Sequence, residues 1–186
     1  MEWAVSVPGT VGGAIVNNAG AHGSNMAASV ADVVVLERSG PNLYTLEDLR
    51  YDYRYSSLKA RQDRDFLVML ATFKLSYDEP ASIKARMESF VAYRKKTQPP
   101  GASLGSIFKN PPGDYAGRLI EAAGLKGAKM GGVMVSPVHA NFIVNLEGVN
   151  AKADDYYALI RKVQDTVLTH SGVELELEIE LVGEWP

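Results

Sequence analysis

The sequence predicts an α+β fold, because strand-like and helix-like segments alternate along the chain without any internal repeat. Three observations lead to this prediction: short apolar runs typical of strands, two long segments with apolar residues at helical spacing, and turn residues between them. With 186 residues, of which 46% are hydrophobic and 22% are charged, the chain is long enough to bury a substantial core. We expect one domain, or one domain and a small second one.

Composition and charge argue against several classes of function. A net charge of −3 provides no basic surface for nucleic acid. The absence of cysteine excludes disulfides and thiolate catalysis, and the three histidines, at 22, 139 and 170, lack the spacing of metal ligands. No apolar run approaches the roughly 18 residues of a membrane span and no signal peptide opens the chain. We therefore expect a cytoplasmic protein that binds neither nucleic acid nor membranes and holds no metal.

The first hundred residues contain two predicted strands and two predicted helices. Residues 31–37 have the composition of a buried strand, and residues 66–75 predict a second strand. Thr45 is placed to cap a short helix, and Pro80 fits the first turn of a helix that runs to about residue 97. Four apolar positions of this second helix recur at helical spacing and predict a core face: Ile83, Met87, Phe90 and Val91. The Pro- and Gly-rich linker that follows predicts a boundary between domains 1–98 and 99–186.

The second half predicts further helices and strands. A short helix over 115–123 ends at Gly124, strands cover 133–135 and 140–146, and an amphipathic helix covers 153–169. The stripe predicted to be buried on that last helix comprises Leu159, Ile160, Val163, Val167 and Leu168. From 173 to 181 apolar residues alternate with glutamates, which predicts a strand. One of Glu174, Glu176, Glu178 and Glu180 could be held inward as an acid or electrostatic partner, and the spacing does not show which.

Glycines are concentrated at the start of the chain. Five of the first 23 residues are glycine, mixed with Thr and Asn. The exposed N–H groups of such turns form a nest that suits a diphosphate, whereas the equally weighted alternative is that these glycines only serve tight turns. The pattern is neither a Walker A loop nor the Rossmann Gly-x-Gly-x-x-Gly.

Arg54 is crowded by three tyrosines at positions 51, 53 and 55. Aromatic rings restrict a guanidinium and lower its local dielectric, so that it binds a carboxylate or phosphate better than a free surface arginine does. The alternative is a structural cation–π contact or ion pair.

The segment 104–111 combines a serine, a lysine and an asparagine beside glycine and two prolines. The turn forced by Asn-Pro-Pro would bring Ser106, Lys109 and Asn110 within reach of one polar ligand. No base lies next to Ser106 in the sequence, so it is a better proton donor than nucleophile. The alternative is an ordinary serine in a strand-to-loop turn. His139 and Asn141 could contact the same ligand or form a structural pair.

Seven motifs in order resemble one family of flavoenzymes, the UDP-N-acetylenolpyruvoylglucosamine reductases (MurB) of peptidoglycan precursor synthesis. The matching segments are 7–14, 18–23, 53–56, 105–111, 116–121 with 124–127, 139–145, and 175–178 with 183–184. The resemblance covers essentially the whole chain. It implies that the sequence begins inside the second flavin-binding lobe, because the family opens with a further segment that carries the first lobe.

The resemblance also implies a fold and a reaction. The fold is the second lobe of a FAD-binding PCMH-type (vanillyl-alcohol-oxidase-like) domain, followed by a small α/β substrate-binding domain. The reaction is the reduction of UDP-N-acetylglucosamine enolpyruvate to UDP-N-acetylmuramate, with NADPH as reductant and FAD as hydride carrier. The alternative is a non-catalytic module that binds a UDP-sugar or a partner without flavin. The oligomeric state is left open.

Individual roles follow from the same resemblance. Arg54 resembles the arginine that holds the substrate carboxylate, Ser106 the proton donor, and Glu178 the glutamate on the far side. The residues expected to line FAD are Pro8, Gly9, Thr10, Gly12, Gly13, Asn18, Gly20 and His22. The residues expected to contact the substrate are Lys109, Asn110, Arg118, His139 and Asn141.

Overall fold

Helices and antiparallel strands both contribute to the fold, which confirms the mixed α and β content predicted from the sequence. The structure is a computed structural model that describes residues 1–185. It divides into two compact units, the first spanning Met1–Tyr93 and the second beginning at Arg94. Among the described residues, no helix has both the length and the apolarity to cross a membrane.

The first unit is built on a three-stranded antiparallel sheet with the order β4-β3-β5. Its elements are α1 (Val11–Val16), β1 (Gly20–Ala21), β2 (Ser24–Asn25), β3 (Val30–Glu37), β4 (Gly40–Thr45), α2 (Leu46–Leu49) and β5 (Phe66–Phe73). Helix α3 (Pro80–Thr97) begins in the first unit, and its residues from Arg94 onward belong to the second. Thr45 caps α2 with a complete capping box, as predicted, because its side chain accepts from the Asp48 backbone and Asp48 accepts in return.

One face of this sheet carries the core of the first unit and the other is exposed. The buried residues are Trp3, Ile15, Met26, Val30, Val33, Val35, Leu49 and Leu58. On the opposite face, Leu36 pairs with Leu67, and Val34 pairs with both Leu43 and Leu70. The four leucines Leu36, Leu43, Leu67 and Leu70 are all exposed, and we call this surface the open sheet face.

The second unit is built on a four-stranded antiparallel sheet with the order β6-β9-β8-β7. Its elements are β6 (Ser103–Ser106), α4 (Ala116–Ala122), β7 (Lys129–Met130), β8 (Val133–Val135), β9 (Phe142–Asn145) and α5 (Ala153–Ser171). The sheet and the two helices contribute to one hydrophobic core, in which Phe108, Ile120, Ile143, Leu159 and Ile160 are fully or almost fully buried. Gly124 and Gly172, both with φ of 73°, follow the ends of α4 and α5.

The prediction of a strand over 173–181 is wrong. Its only pairing among the described residues is an isolated bridge between Leu177 and Phe108. In the direction of Pro111 and Pro112, pairing cannot extend because these residues have no N–H to donate. The alternation still sorts the side chains by burial, since Leu175 is buried in the core while Leu181 is exposed.

Two predictions about helix faces are also wrong. Leu168 is 47% exposed, although Leu159, Ile160, Val163 and Val167 of the same helix are buried as predicted. Helix α3 begins and ends where predicted but contains no buried residue, and Phe90 is its only member that packs against the described core of the first unit. Helical spacing identifies the apolar face of a helix but not whether another element covers it.

Candidate functional site

Ser106 lies at the end of β6, just after an irregularity in the sheet. It is opposite Phe142 of β9, and the register shifts between Ser103 and Ser106. Gly105 takes up this shift with φ of +78°, a conformation that costs glycine little. Beyond Ser106 the pairing continues, because the Ile107 N–H donates to the Asn141 carbonyl at 2.9 Å.

The Asn141 side chain continues this pairing where the backbone does not. Its Oδ1 accepts from the Phe108 N–H at 3.0 Å, and its Nδ2 donates to the Phe108 carbonyl at 2.8 Å. Asn141 is only 3% exposed and Phe108 only 1%. The amide therefore satisfies both backbone polar groups of Phe108 where water does not reach them.

The other edge of the same segment is occupied by residues 176–178. The Glu178 N–H donates to the Ile107 carbonyl and the Lys109 N–H donates to the Glu176 carbonyl, both at 2.8 Å. Ser106 and Glu178 therefore lie on neighbouring backbone segments. Of the four alternating glutamates, Glu178 alone is partly buried and the other three are exposed. The burial is therefore consistent with the glutamate that the resemblance selects, whose role stays a prediction.

Two cations predicted to contact the substrate have carboxylate partners. Lys109 Nζ pairs with the exposed Glu176 carboxylate. Arg118 makes a two-point contact with Asp114, in which Nε donates to Oδ1 at 2.6 Å and Nη2 donates to Oδ2. The hydrogen bonds from Arg118 lower the pKa of the Asp114 carboxyl to about 2 and raise the pKa of Arg118. Each pair has one exposed and one partly buried member. Ion pairs that water reaches are weak, so an incoming anion can compete for either cation.

Asn110 and His139 are tied to the start of α4. Asn110 Oδ1 accepts from the Ala116 N–H at 3.1 Å. His139 Nδ1 accepts from the Asn141 N–H at 3.2 Å, so the proton of the neutral ring is on Nε2. Burial lowers the pKa of His139, which favours this neutral form. A Cβ at Gly117 would lie 3.2 Å from His139 Cε1, so the glycine allows the ring to pack against the helix.

The Ser136 side chain stabilises the turn that leads to His139. The sequence-based predictions did not include this role. Its fully buried side chain accepts from the Val138 N–H at 3.1 Å and from the His139 N–H at 3.3 Å. A Ser-Pro pair starting a turn was the available signal, because serine hydroxyls stabilise turns in this way.

In the first unit, Arg54 is placed by its backbone and by the hairpin of β1 and β2. Its φ is +52°, its Nη2 donates to the Gly20 carbonyl at 3.1 Å, and its Cζ lies 5.3 Å from the centre of the Tyr53 ring. A Cβ at Gly20 would lie 3.3 Å from Arg54 Nη1 and 2.8 Å from the Ser24 carbonyl oxygen. The absence of a side chain at position 20 therefore leaves room for the guanidinium.

The glycine-rich loop leads into α1. Thr10 caps this helix by accepting from the Gly13 N–H at 3.0 Å. A Cβ at Gly12 would lie 3.4 Å from Val68 Cβ, so this glycine faces β5. Gly9 has φ of +116°, and its missing Cβ faces open space. Pro8, Gly9 and Thr10 are exposed, and the first N–H groups of a helix have no partner within the helix.

Asn18 and His22 hold the hairpin of β1 and β2 in place. Asn18 is buried with φ of +43°, donates to the Asp52 carbonyl at 2.8 Å and accepts from the Ala27 N–H at 3.0 Å. His22, with φ of +51°, stacks on Phe90 of α3 with ring centres 4.2 Å apart. Both residues have structural contacts at positions where a cofactor contact is predicted.

The class of the second unit follows from a comparison with protein families. Residues 96–182 match the family model described as "UDP-N-acetylenolpyruvoylglucosamine reductase, C-terminal domain". This range includes Ser106, Asn141 and Glu178, the residues that the structure holds on adjoining segments.

Individual relatives extend the match to the whole chain. The UDP-N-acetylenolpyruvoylglucosamine reductase of Chloroflexus aggregans is 44% identical over 98% of this chain and 62% of its own length. The same reductase of Synechococcus sp. (strain RCC307) is 45% identical over 98% of this chain and 60% of its own length. The crystal structure of the Thermus caldophilus reductase (MurB) superposes with a TM-score of 0.85 at 38% identity, covering 100% of this chain and 64% of that one.

Residues 96–182 therefore match the C-terminal domain of the UDP-N-acetylenolpyruvoylglucosamine reductases (MurB), and the whole chain is similar to reductases of this family, as its ordered motifs indicated. It spans about three fifths of the length of the curated relatives that it matches.

Proposed function

We propose that this chain provides the second flavin-binding lobe (1–98) and the substrate-binding domain (99–186) of a reductase in peptidoglycan precursor synthesis. The reaction is the reduction of UDP-N-acetylglucosamine enolpyruvate to UDP-N-acetylmuramate, with FAD and NADPH as cofactors. The observation that carries this proposal is the pairing of the Ser106 segment with the Glu178 segment, in a chain that is similar to reductases of this family.

The glycine-rich loop fits the diphosphate of FAD. Pro8, Gly9 and Thr10 are exposed, Gly9 needs the conformation that glycine favours, and the N–H groups at the start of α1 point to an anion-binding role. Gly12, Gly13, Asn18, Gly20 and His22 would complete this side of the cofactor site through the backbone that they shape. When bound, FAD would supply the hydride that NADPH delivers to it.

Three side chains would act on the substrate. The Arg54 guanidinium would hold the substrate carboxylate and stabilise the negative charge that it gathers, a type of contribution commonly worth a few kcal/mol. The Ser106 hydroxyl would donate its proton to the carbon next to the one that receives the hydride, so that the C=C bond becomes a single bond. Glu178, on the adjacent segment, would serve as the acid or electrostatic partner.

The remaining predicted residues would bind the sugar nucleotide or organise those that do. Lys109 and Arg118 would exchange their carboxylate partners, Glu176 and Asp114, for the anionic substrate. His139 would offer a neutral Nε2–H as a donor, and Asn110 would act from the start of α4.

The experiment supplies the part of the Chloroflexus aggregans relative that this chain does not match, as a fusion or in trans, and follows NADPH oxidation with the enolpyruvyl sugar nucleotide. We expect Ser106→Ala to lower kcat by about 10²–10⁴, the usual contribution of a positioned proton donor. Ser103→Ala, at the other end of the same strand, is the matched control and should leave kcat within about threefold of the wild type. Similar rates for the two variants would contradict the role of Ser106.

A non-catalytic module is the second candidate, and the structural contacts of Asn18 and His22, at positions expected to line FAD, favour it. Such a module would bind a UDP-sugar without flavin. A flavin absorbance band in the purified chain would count against it, whereas a colourless protein that binds UDP-N-acetylglucosamine in calorimetry would support it.

A further inference from the structure

Three segments meet around Phe108, and the buried connection to Phe108 itself is made by the Asn141 side chain. Backbone hydrogen bonds join Ile107 to Asn141 on one edge, and join Ile107 and Lys109 to residues 176–178 on the other. Phe108 itself exchanges no backbone hydrogen bond with either neighbour in these pairings. Its N–H and carbonyl are both taken by the Asn141 amide.

The Asn141 amide thus acts as an additional strand residue. One acceptor and one donor of a planar group bind the N–H and carbonyl of one residue, which is the geometry of a strand pair. The site is buried, so the two groups of Phe108 would otherwise lack both a protein partner and water. Because the contact has two hydrogen bonds, it fixes the register and the orientation of the 106–109 segment relative to β9, as well as the distance between them.

We propose that Asn141 is a positioning residue, which holds the Ser106 segment in register with the Glu178 segment by clamping Phe108. This inference rests on the proposed function and gives Asn141 a part in it that does not require contact with the substrate. Its amide oxygen and an amide N–H are already engaged by Phe108, and its backbone N–H binds His139 Nδ1 at 3.2 Å. The same residue therefore connects the candidate proton donor, the glutamate segment and the histidine.

Amide hydrogen exchange in this chain, measured by NMR, tests the proposal without any need for activity. In the wild type, we expect the Phe108 N–H and the Asn141 side-chain NH₂ to exchange slowly. Exchange of the Phe108 N–H as fast as that of an exposed loop amide would overturn the proposal, and this measurement does not depend on the folding of any variant.

Two variants then test whether loss of the Asn141 side chain also weakens the hydrogen bonds between the 106–109 segment and residues 176–178. We expect Asn141→Ala to accelerate exchange at Lys109 and Glu178 by about tenfold or more, because their hydrogen bonds depend on the register that the clamp fixes. Asn145→Ala is the matched control, because Asn145 lies on the same strand and its side chain also bonds backbone groups, those of Glu147 and Gly148. Acceleration confined to Phe108, or equal effects of both variants at Glu178, would overturn the proposal.

Asn141→Asp provides a conservative rescue. A protonated carboxyl has the same acceptor and donor arrangement as the amide, whereas a carboxylate has no donor. We therefore expect the protection of Lys109 and Glu178 in this variant to be restored as the pH falls and the buried carboxyl takes up a proton. Protection that stays low at every pH at which the variant is folded would contradict the clamp.

Kinetics separate this role from a substrate contact. In the completed reductase, Asn141→Ala should lower kcat by a larger factor than it raises KM, since it disturbs the alignment of Ser106 rather than binding. A change in KM alone would overturn the positioning role. If the wild-type assembly shows no turnover, the proposed function fails, and the exchange measurements still decide whether Asn141 aligns the two segments.

Discussion

The two units hold their candidate functional residues in different ways. All five non-glycine residues with positive φ in residues 1–185 lie in the first unit: Ser6, Asn18, His22, Arg50 and Arg54. In the second unit, Ser106, Asn141 and Glu178 are held by hydrogen bonds between neighbouring segments. The arginine is therefore placed by a constrained backbone and a contact with Gly20, and the serine by hydrogen bonds between segments. The two placements should respond to different substitutions.

The units also differ in how completely their polar groups are satisfied. In the first unit, Trp3 Nε1 and the Tyr51 hydroxyl are buried without a hydrogen-bond partner among the described residues, and burial raises the pKa of Tyr51 to about 12. In the second unit, the buried polar side chains of Ser136 and Asn141 both have partners. Unsatisfied buried donors cost free energy, so we expect the second unit to be the more robust of the two.

The largest effect should come from the core of the second unit. Leu159→Ala removes a fully buried side chain from α5 and should lower the free energy of unfolding by about 2–5 kcal/mol. Leu168→Ala, on the same helix but 47% exposed, is the matched control and should cost less than about 1 kcal/mol. Urea denaturation measures both, and similar costs would show that the helix packs through a different face.

A smaller effect should follow from adding a methyl group beside Arg54. Gly20→Ala would bring a Cβ to 2.8 Å from the Ser24 carbonyl oxygen and 3.3 Å from Arg54 Nη1, and overpacking of this kind costs about 1–3 kcal/mol. Because it displaces the guanidinium, the variant should also weaken binding of the enolpyruvyl sugar nucleotide in calorimetry, as the proposed role of Arg54 requires.

The control for this change is Gly23→Asn in the same hairpin. Gly23 has φ of +77°, its missing Cβ faces open space, and asparagine tolerates that conformation better than most residues. Equal losses of stability and binding in the two variants would mean that the hairpin as a whole, and not the space at Gly20, places Arg54.

A still smaller effect should follow from removing the helix cap in the first unit. Thr45→Ala deletes the hydroxyl that accepts from the Asp48 N–H and should lower the free energy of unfolding by about 1 kcal/mol. Thr45→Ser keeps the hydroxyl and should stay close to the wild type in thermal denaturation. If both variants lost the same stability, packing of the threonine methyl would be responsible instead of the cap.

The smallest effect concerns pH and the second unit. The pKa of Asp114 is lowered from its ordinary 3.8 to about 2 by hydrogen bonds from Arg118. A lowered folded-state pKa contributes stability that is fully present above pH 3.8 and is lost as the pH falls through about 2. Carboxyl NMR should therefore give an Asp114 midpoint near 2, returning toward 3.8 in Arg118→Gln. A wild-type midpoint near 3.8 would show that the pair does not persist in solution.

Local signals predicted the elements better than their packing. Thr45 and Pro80 marked true helix starts because capping and a fixed φ act within one turn. The alternation over 173–181 predicted a strand that does not form, because pairing depends on a partner segment that ends at two prolines. The apolar spacing of α3 predicted a buried face, but whether a face is covered depends on elements far away in the sequence.

The candidate site shows the same limit. The resemblance of motifs identified Ser106 and Glu178, and the structure places their segments side by side; spacing alone could not choose among four glutamates. The sequence contained no signal for the clamp on Phe108, because it depends on Asn141 meeting a residue 33 positions away. For Asn18 and His22, the family resemblance predicts contacts with the cofactor. The structure shows that both residues also make contacts within the protein, which the sequence did not indicate.

The open sheet face has a practical consequence for anyone purifying the chain. Exposed leucines paired across three strands form an adhesive surface of the kind that retains proteins on hydrophobic resins and enhances the fluorescence of apolar dyes. Both outer strands of that sheet also present edges, which invite self-association as concentration rises. A lysine at Leu43 or Leu67 would keep the material dispersed at high concentration, and neither leucine is among the residues proposed to bind FAD or the substrate.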